Sequence, residues 1–88
     1  MKEKELERIM KALANRRRLA IIKYLKIEKE ASVGDIAGEI LLSFKATSKH
    51  LGVLSAASII DREQRSLQMF YCLARDMPPA ARHISSLL

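Results

Sequence analysis

The chain has 88 residues, 49% hydrophobic and 30% charged, with a formal net charge of +6. That length fits one domain with a modest core, and the composition is that of a globular rather than a disordered chain. No apolar run is long enough for a membrane span and the charged MKEKELERIMK start has no apolar signal core. A single cysteine excludes an internal disulfide and any zinc-finger spacing, so a cytoplasmic protein is expected.

Leu6, Ile9, Met10 and Leu13 recur at helical spacing and predict a first helix from about Glu3 to Ala14, with Glu3, Glu5 and Glu7 favourably placed near its start. Asn15 is a good N-cap for a second helix to about Ile27, with Leu19, Ile22 and Leu25 inward. Glu28, Lys29 and Glu30 form a polar connection. Ser32 and Asp35 then have the spacing of a capping box, and Val33, Ile36, Ala37, Ile40 and Leu41 follow at helical intervals. Ser43 can cap a fourth helix, to about residue 57, with Thr47, Leu51 and Leu54 inward and Lys45, Ser48, Lys49 and Gly52 outward. Two helices joined by two or three residues must lie across one another. The polar face of the second is then free to enter a groove, which is the geometry of a helix-turn-helix.

After Ser58 the period changes to two. Ile59-Ile60, a polar loop from Asp61 to Ser66, and Leu67 to Leu73 predict a two-stranded hairpin, a wing at 60–73. Leu67, Met69, Tyr71 and Leu73 alternate with Gln68, Phe70 and Cys72. Asp76-Met77-Pro78-Pro79 breaks the pattern, and a short last helix over 79–88 takes its apolar side from Ala80, Ile84, Leu87 and Leu88. The fold class is mainly α: a single winged helix-turn-helix domain over 1–88, with about five helices and a two-stranded β-hairpin.

Charge alone supports a polyanionic partner only in part. Residues 1–30 carry ten basic and five acidic side chains, 31–60 are neutral, and 61–88 carry +1, so the excess precedes the proposed reading helix. Ser48 and His50 lie on different parts of one helix surface with no acid to orient the imidazole, and no glycine-rich phosphate loop is present. No enzyme is expected.

The residues also carry a resemblance. Leu13-Ala14-Asn15-Arg16-Arg17-Arg18-Leu19-Ala20-Ile21-Ile22 resembles the "LADPTRLRIL" opening of ArsR/SmtB-type repressors. Ile36-Ala37 through Leu42-Ser43 and Lys49-His50-Leu51 through Val53-Leu54 are similar to that family's "LAEALGLSQSTVSRHLKVL" segment, and Phe70-Tyr71-Cys72-Leu73 to the end of its wing. The resemblance, over roughly residues 6 to 73, implies a homodimeric repressor on a palindromic operator in double-stranded DNA. The first and last helices, 1–14 and 79–88, would form the dimer contact, through Leu6, Ile9, Met10, Ile84 and Leu87. Ser43, Phe44, Lys45, Ser48 and Lys49 occupy the base- and phosphate-contacting places, and His50 matches a histidine that braces the reading helix or reaches a phosphate.

There are departures. Leu41, Ser58 and Ser66 stand where the family has glycines, while Gly34, Gly38 and Gly52 fall inside predicted helices. The third-helix cysteine pair of the arsenic and cadmium sensors is absent, and only His83 is available on the last helix, where zinc and nickel sensors pair Asp with His. No cofactor and no metal at the usual family sites are therefore expected.

Each candidate has a bland counterpart. Lys45 and Lys49 contact DNA or form an ordinary solvated face; Phe44 stacks on DNA or staples its helix to the core. Arg62 and Arg65 reach DNA from the wing or pair with Asp61 and Glu63. Arg16 and Arg17, at a helix start, hint at an external anion or form a surface cluster; Arg18 packs or pairs within the fold. Cys72 reads as a partly buried small side chain. A protein-interaction module that never touches DNA is the alternative function, and a metal site shared between protomers, through Cys72 or His83, a third.

Overall fold

Asn15 ends one helix and starts the next. In a computed structural model, which describes residues 1–88, α1 spans Glu3–Leu13 and α2 spans Arg16–Glu28. The Asn15 side chain accepts hydrogen bonds from the backbone N–H of Arg17 at 2.9 Å and Arg18 at 3.1 Å, satisfying two of the free donors of α2. Ala31–Ser32 form a short strand, β1, before α3, Val33–Ile40. Ser32 Oγ accepts from the Asp35 N–H at 3.2 Å. After the turn come α4, Phe44–Ala56, then β2, Ile60–Arg65, β3, Gln68–Leu73, and α5, Pro79–Ser86.

One buried cluster joins these elements. Ile21, Ile22 and Leu25 of α2, Ile36 of α3, Leu51 and Leu54 of α4, and Ile59 are all but completely buried. Each such side chain contributes about 1.5–3 kcal/mol relative to an exposed one. Tyr71 is the buried residue of β3, and Ala81 of α5 closes the far side. Lys26 Nζ donates to the Ser85 carbonyl at 3.0 Å, tying α2 to the end of α5.

The sheet differs from the sequence expectation in two ways. It has three antiparallel strands in the order β1-β3-β2, because Ala31 and Ser32 pair with Tyr71 and Phe70. The residues read as a polar hairpin loop, Asp61 to Arg65, instead form β2, paired from Ile60↔Leu73 to Arg65↔Gln68. The turn is reduced to Ser66 and Leu67. Backbone pairing needs no apolar side chain, so a strand with both faces exposed leaves no alternating pattern to read.

The glycines do not occupy the left-handed positions. Lys29, Leu41, Ser58 and Ser66 have φ of 75°, 58°, 60° and 57°, whereas no glycine has positive φ. Ser58 follows α4 in a Schellman closure: its N–H bonds the Ser55 carbonyl and the Ile59 N–H bonds the Leu54 carbonyl, both at 3.0 Å. Leu41 closes α3 similarly, with the Leu42 N–H on the Ala37 carbonyl at 3.1 Å.

Candidate nucleic-acid interface

The turn between α3 and α4 is three residues, Leu41-Leu42-Ser43, so the helices are held across one another. Ser43 Oγ accepts from the Ala46 N–H at 3.1 Å, which fixes the start of α4 and leaves Ser43 itself exposed. Thr47, Leu51 and Leu54 form the inner stripe, each at 0% exposure. Lys45, Lys49 and Gly52 are exposed and Ser48 half-buried on the other side. Neither lysine belongs to an ion pair; the salt bridges of the protein are Lys11–Glu7, Arg65–Glu30 and Arg65–Glu63. Two cations one helical turn apart on an otherwise uncharged outer stripe are free to meet phosphate or base edges.

Phe44 is 64% exposed, so it is not stapled into the core. It lines a shallow cleft with Val33, Leu67 and Met69, between the start of α4 and the wing tip. Leu41, at 86%, and Leu67, at 97%, are exposed as well. Leu67 faces solvent because it lies in the turn, not in the strand that the sequence pattern assigned to it.

The two wing arginines go different ways. Arg62 sits opposite Tyr71 and lines a groove with Gly52, Ser55 and Ala56 of α4. It has no ion pair, and it stands beside the outer face of α4. Arg65 crosses the sheet in the other direction. It forms a fork on the Glu30 carboxylate at 2.7 and 2.8 Å, touches Glu63 at 2.7 Å, and its guanidinium lies 4.9 Å from the centre of the Phe70 ring. The Arg65 bond holds the Glu30 carboxyl below its ordinary range, and the two carboxylates raise Arg65 further. Arg65 is thus already partnered, and Arg62 is the free wing cation.

His50 is half-buried in the middle of α4, with its Nδ1 3.1 Å from an Arg18 terminal nitrogen. Arg18 therefore pairs within the fold, while Arg16 and Arg17 are exposed without ion-pair partners. Burial, then the nearby carboxylates of Asp61, Glu30 and Glu63, push the Cys72 thiol up, away from the reactive thiolate. His83 is exposed on α5. No three His, Cys, Asp or Glu side chains gather to hold a metal ion, and no helix is long and apolar enough to cross a membrane.

Among the residues expected at a dimer contact, Leu6, Met10 and Leu87 are 39%, 58% and 69% exposed, and Ile84 is half-buried. Ile9 is different. It is 5% exposed, on the same side of α1 as Ala12 and Leu13, and belongs to the core of the protomer.

No family model matches the chain. The sequence is 36% identical over 83 residues to the biofilm growth-associated repressor of Agrobacterium fabrum, covering 94% of this chain and 68% of that protein. It is 35% identical over 66 residues to the transcriptional activator HlyU of Vibrio cholerae, covering 75% of this chain and 60% of HlyU, less than two thirds of that protein's length. The structure of reduced HlyU matches with a TM-score of 0.81 at 29% identity, over 97% of this chain and 85% of that one. A homodimeric winged helix-turn-helix DNA-binding domain from Mycobacterium bovis, described as a possible ArsR-family regulator, also matches at 0.81, with 25% identity over 96% of this chain and 74% of that one. The chain belongs to the ArsR/SmtB family of winged helix-turn-helix transcriptional regulators.

Proposed function

We propose that the protein is a homodimeric, cytoplasmic repressor that binds a palindromic operator through α4 and the wing. The observation that carries this reading is the division of α4 into a sealed inner stripe and an outer stripe with two unpaired lysines. Lys45, Lys49 and Arg62 neutralise phosphates; Ser48 and the exposed Phe44 meet base edges, Phe44 through a thymine methyl or a sugar. Ser43, with its Oγ committed to the cap, sets the register of the helix and offers its remaining lone pair and hydroxyl proton to the backbone. Leu6, Met10, Ile84 and Leu87 join two protomers, so that paired reading helices enter successive major grooves about 34–36 Å apart. Homodimerisation of the M. bovis relative supports this assembly.

Fluorescence anisotropy with a promoter duplex over a salt series tests the reading. Each lysine–phosphate contact contributes about 0.9 to the slope of log K against log salt, so Lys45→Ala with Lys49→Ala flattens it by about two per protomer. Unchanged slopes would remove α4 from the interface. The exposed Leu41, Phe44 and Leu67 favour a second reading, a protein-interaction module. Such a module would bind duplex weakly at every salt concentration.

A further inference from the structure

The last carbonyls of a helix have no partner within it, and at the end of α1 each is satisfied from outside. The Met10 carbonyl accepts from the Ala14 N–H and the Leu13 carbonyl from the Asn15 N–H. The remaining two are taken by one side chain. Arg18 donates from Nε to the Ala12 carbonyl at 2.6 Å and from a terminal nitrogen to the Lys11 carbonyl at 3.0 Å. Its other terminal nitrogen reaches His50 Nδ1 at 3.1 Å, 32 residues away in sequence. A guanidinium has donors only, so Nδ1 accepts, and the neutral ring carries its proton on Nε2.

We propose that Arg18 is a positioning residue for the reading helix, tying the end of α1 to the middle of α4 through a neutral His50, so that protonation of His50 releases α4 and weakens DNA binding. The proposal rests on α4 being the DNA-reading element. It also links the proposed dimer helix α1, through the Arg18 side chain of α2, to the element that reads DNA. A protonated ring would turn a second donor toward the guanidinium and set two cations in contact.

The acid that shares a cleft with Arg18, Glu7 of α1, pairs with Lys11 and is not among the groups that act on His50. The charged groups that bear on His50 are Arg18 and Arg17 from α2 and Lys49 on its own helix. On α1, Lys11 is paired with Glu7 at 4.0 Å, and no charged group of α3 or β2 bears on the ring. Burial first, and then these cations, hold His50 below the ordinary histidine range.

Two measurements test the proposal. Without DNA, nitrogen NMR of the imidazole is expected to show the Nε2–H tautomer, titrating below about 6.5; Arg18→Ala should raise that titration, and Arg18→Lys should act in part if the alanine variant fails to fold. With DNA, wild-type affinity is expected to fall on the order of tenfold between about pH 7.5 and about pH 5.5, the equivalent of one charge-assisted hydrogen bond. Added positive charge alone would tighten binding on acidification, so the direction is diagnostic. His50→Asn keeps an acceptor facing Arg18 and cannot titrate; whatever its affinity at neutrality, the ratio of its affinities at the two pH values should lose the acid response. A His83→Asn background isolates His50. Affinity that rises or stays level on acidification, or an acid response that survives in His50→Asn, overturns the proposal. If the wild type binds no duplex at any pH, the DNA reading itself fails; the NMR experiment then judges the brace alone, and an Nδ1–H tautomer refutes it.

Discussion

Moving one glycine by a few residues should stabilise this protein. Leu41 closes α3 at φ 58° and ψ 47°, a left-handed conformation that costs a residue with a Cβ about 1–2 kcal/mol. Its side chain is 86% exposed, so truncation sacrifices little burial. Leu41→Gly also loosens the unfolded chain, which offsets about 0.4–1 kcal/mol, leaving a net gain of roughly 0.5–1 kcal/mol. Three residues earlier, Gly38 lies inside α3 with an ordinary negative φ, and a Cβ built on it meets nothing within 4 Å. Gly38→Ala should therefore add about 0.5–1 kcal/mol. The double variant should be more stable than either single one, with a summed gain of about 1–2 kcal/mol as the ceiling for neighbouring positions, and each kcal/mol raises Tm by about 4–8 °C in a domain of this size. Thermal melts followed by circular dichroism, with urea midpoints as a second measure, provide the assay. A double variant no more stable than the wild type would refute the view that the helix-turn-helix is strained where its glycines are misplaced.

Other outcomes follow from single residues. Thr47 Oγ1 is buried on the inner face of α4 without a hydrogen-bond partner, so Thr47→Val should raise stability by about 1 kcal/mol in urea unfolding. Ile9→Ala should cost about 2–4 kcal/mol of protomer stability, whereas Met10→Lys should leave the fold intact and shift sedimentation from dimer to monomer. Glu30→Gln with Glu63→Gln frees Arg65 and should steepen the salt dependence of DNA binding by about one unit per protomer; an unchanged slope would mean that Arg65 does not face the duplex. Because His50 is held below its unfolded value, the unfolded chain takes up its proton first on acidification. Stability should be highest above about pH 6.5 and fall from there through the lowered folded value, less so in His50→Asn.

The sequence carried the local devices well. Asn15, Ser32 and Ser43 each cap the helix that their position and spacing predict, and Thr47, Leu51 and Leu54 face inward as a helical period requires. What was not legible depends on distance along the chain or on bare backbone. Arg65 sits among wing acids in sequence, yet its fork partner is Glu30, 35 residues earlier, and no local pattern announces that pair. A two-residue strand such as β1 is too short to show alternation. The wing tip lies at Ser66 and Leu67, where the pattern hides it, because Leu67 continues an apolar alternation into the turn. Leu41, Ser58 and Ser66 did stand out as replacements for family glycines, and the structure gives that observation its content: all three keep the left-handed backbone that glycine would ease.

The pairing of two outward α4 faces at one helical turn of DNA is the central claim, and a distance measurement reaches it most directly. Val53 lies on α4 outside the proposed contacts and is 37% exposed, so Val53→Cys with Cys72→Ser places one spin label on each reading helix. With a palindromic duplex bound, double electron–electron resonance should give a narrow distribution near about 34–36 Å. A distribution far from one helical turn, or one that adding duplex leaves broad and unchanged, would contradict the account.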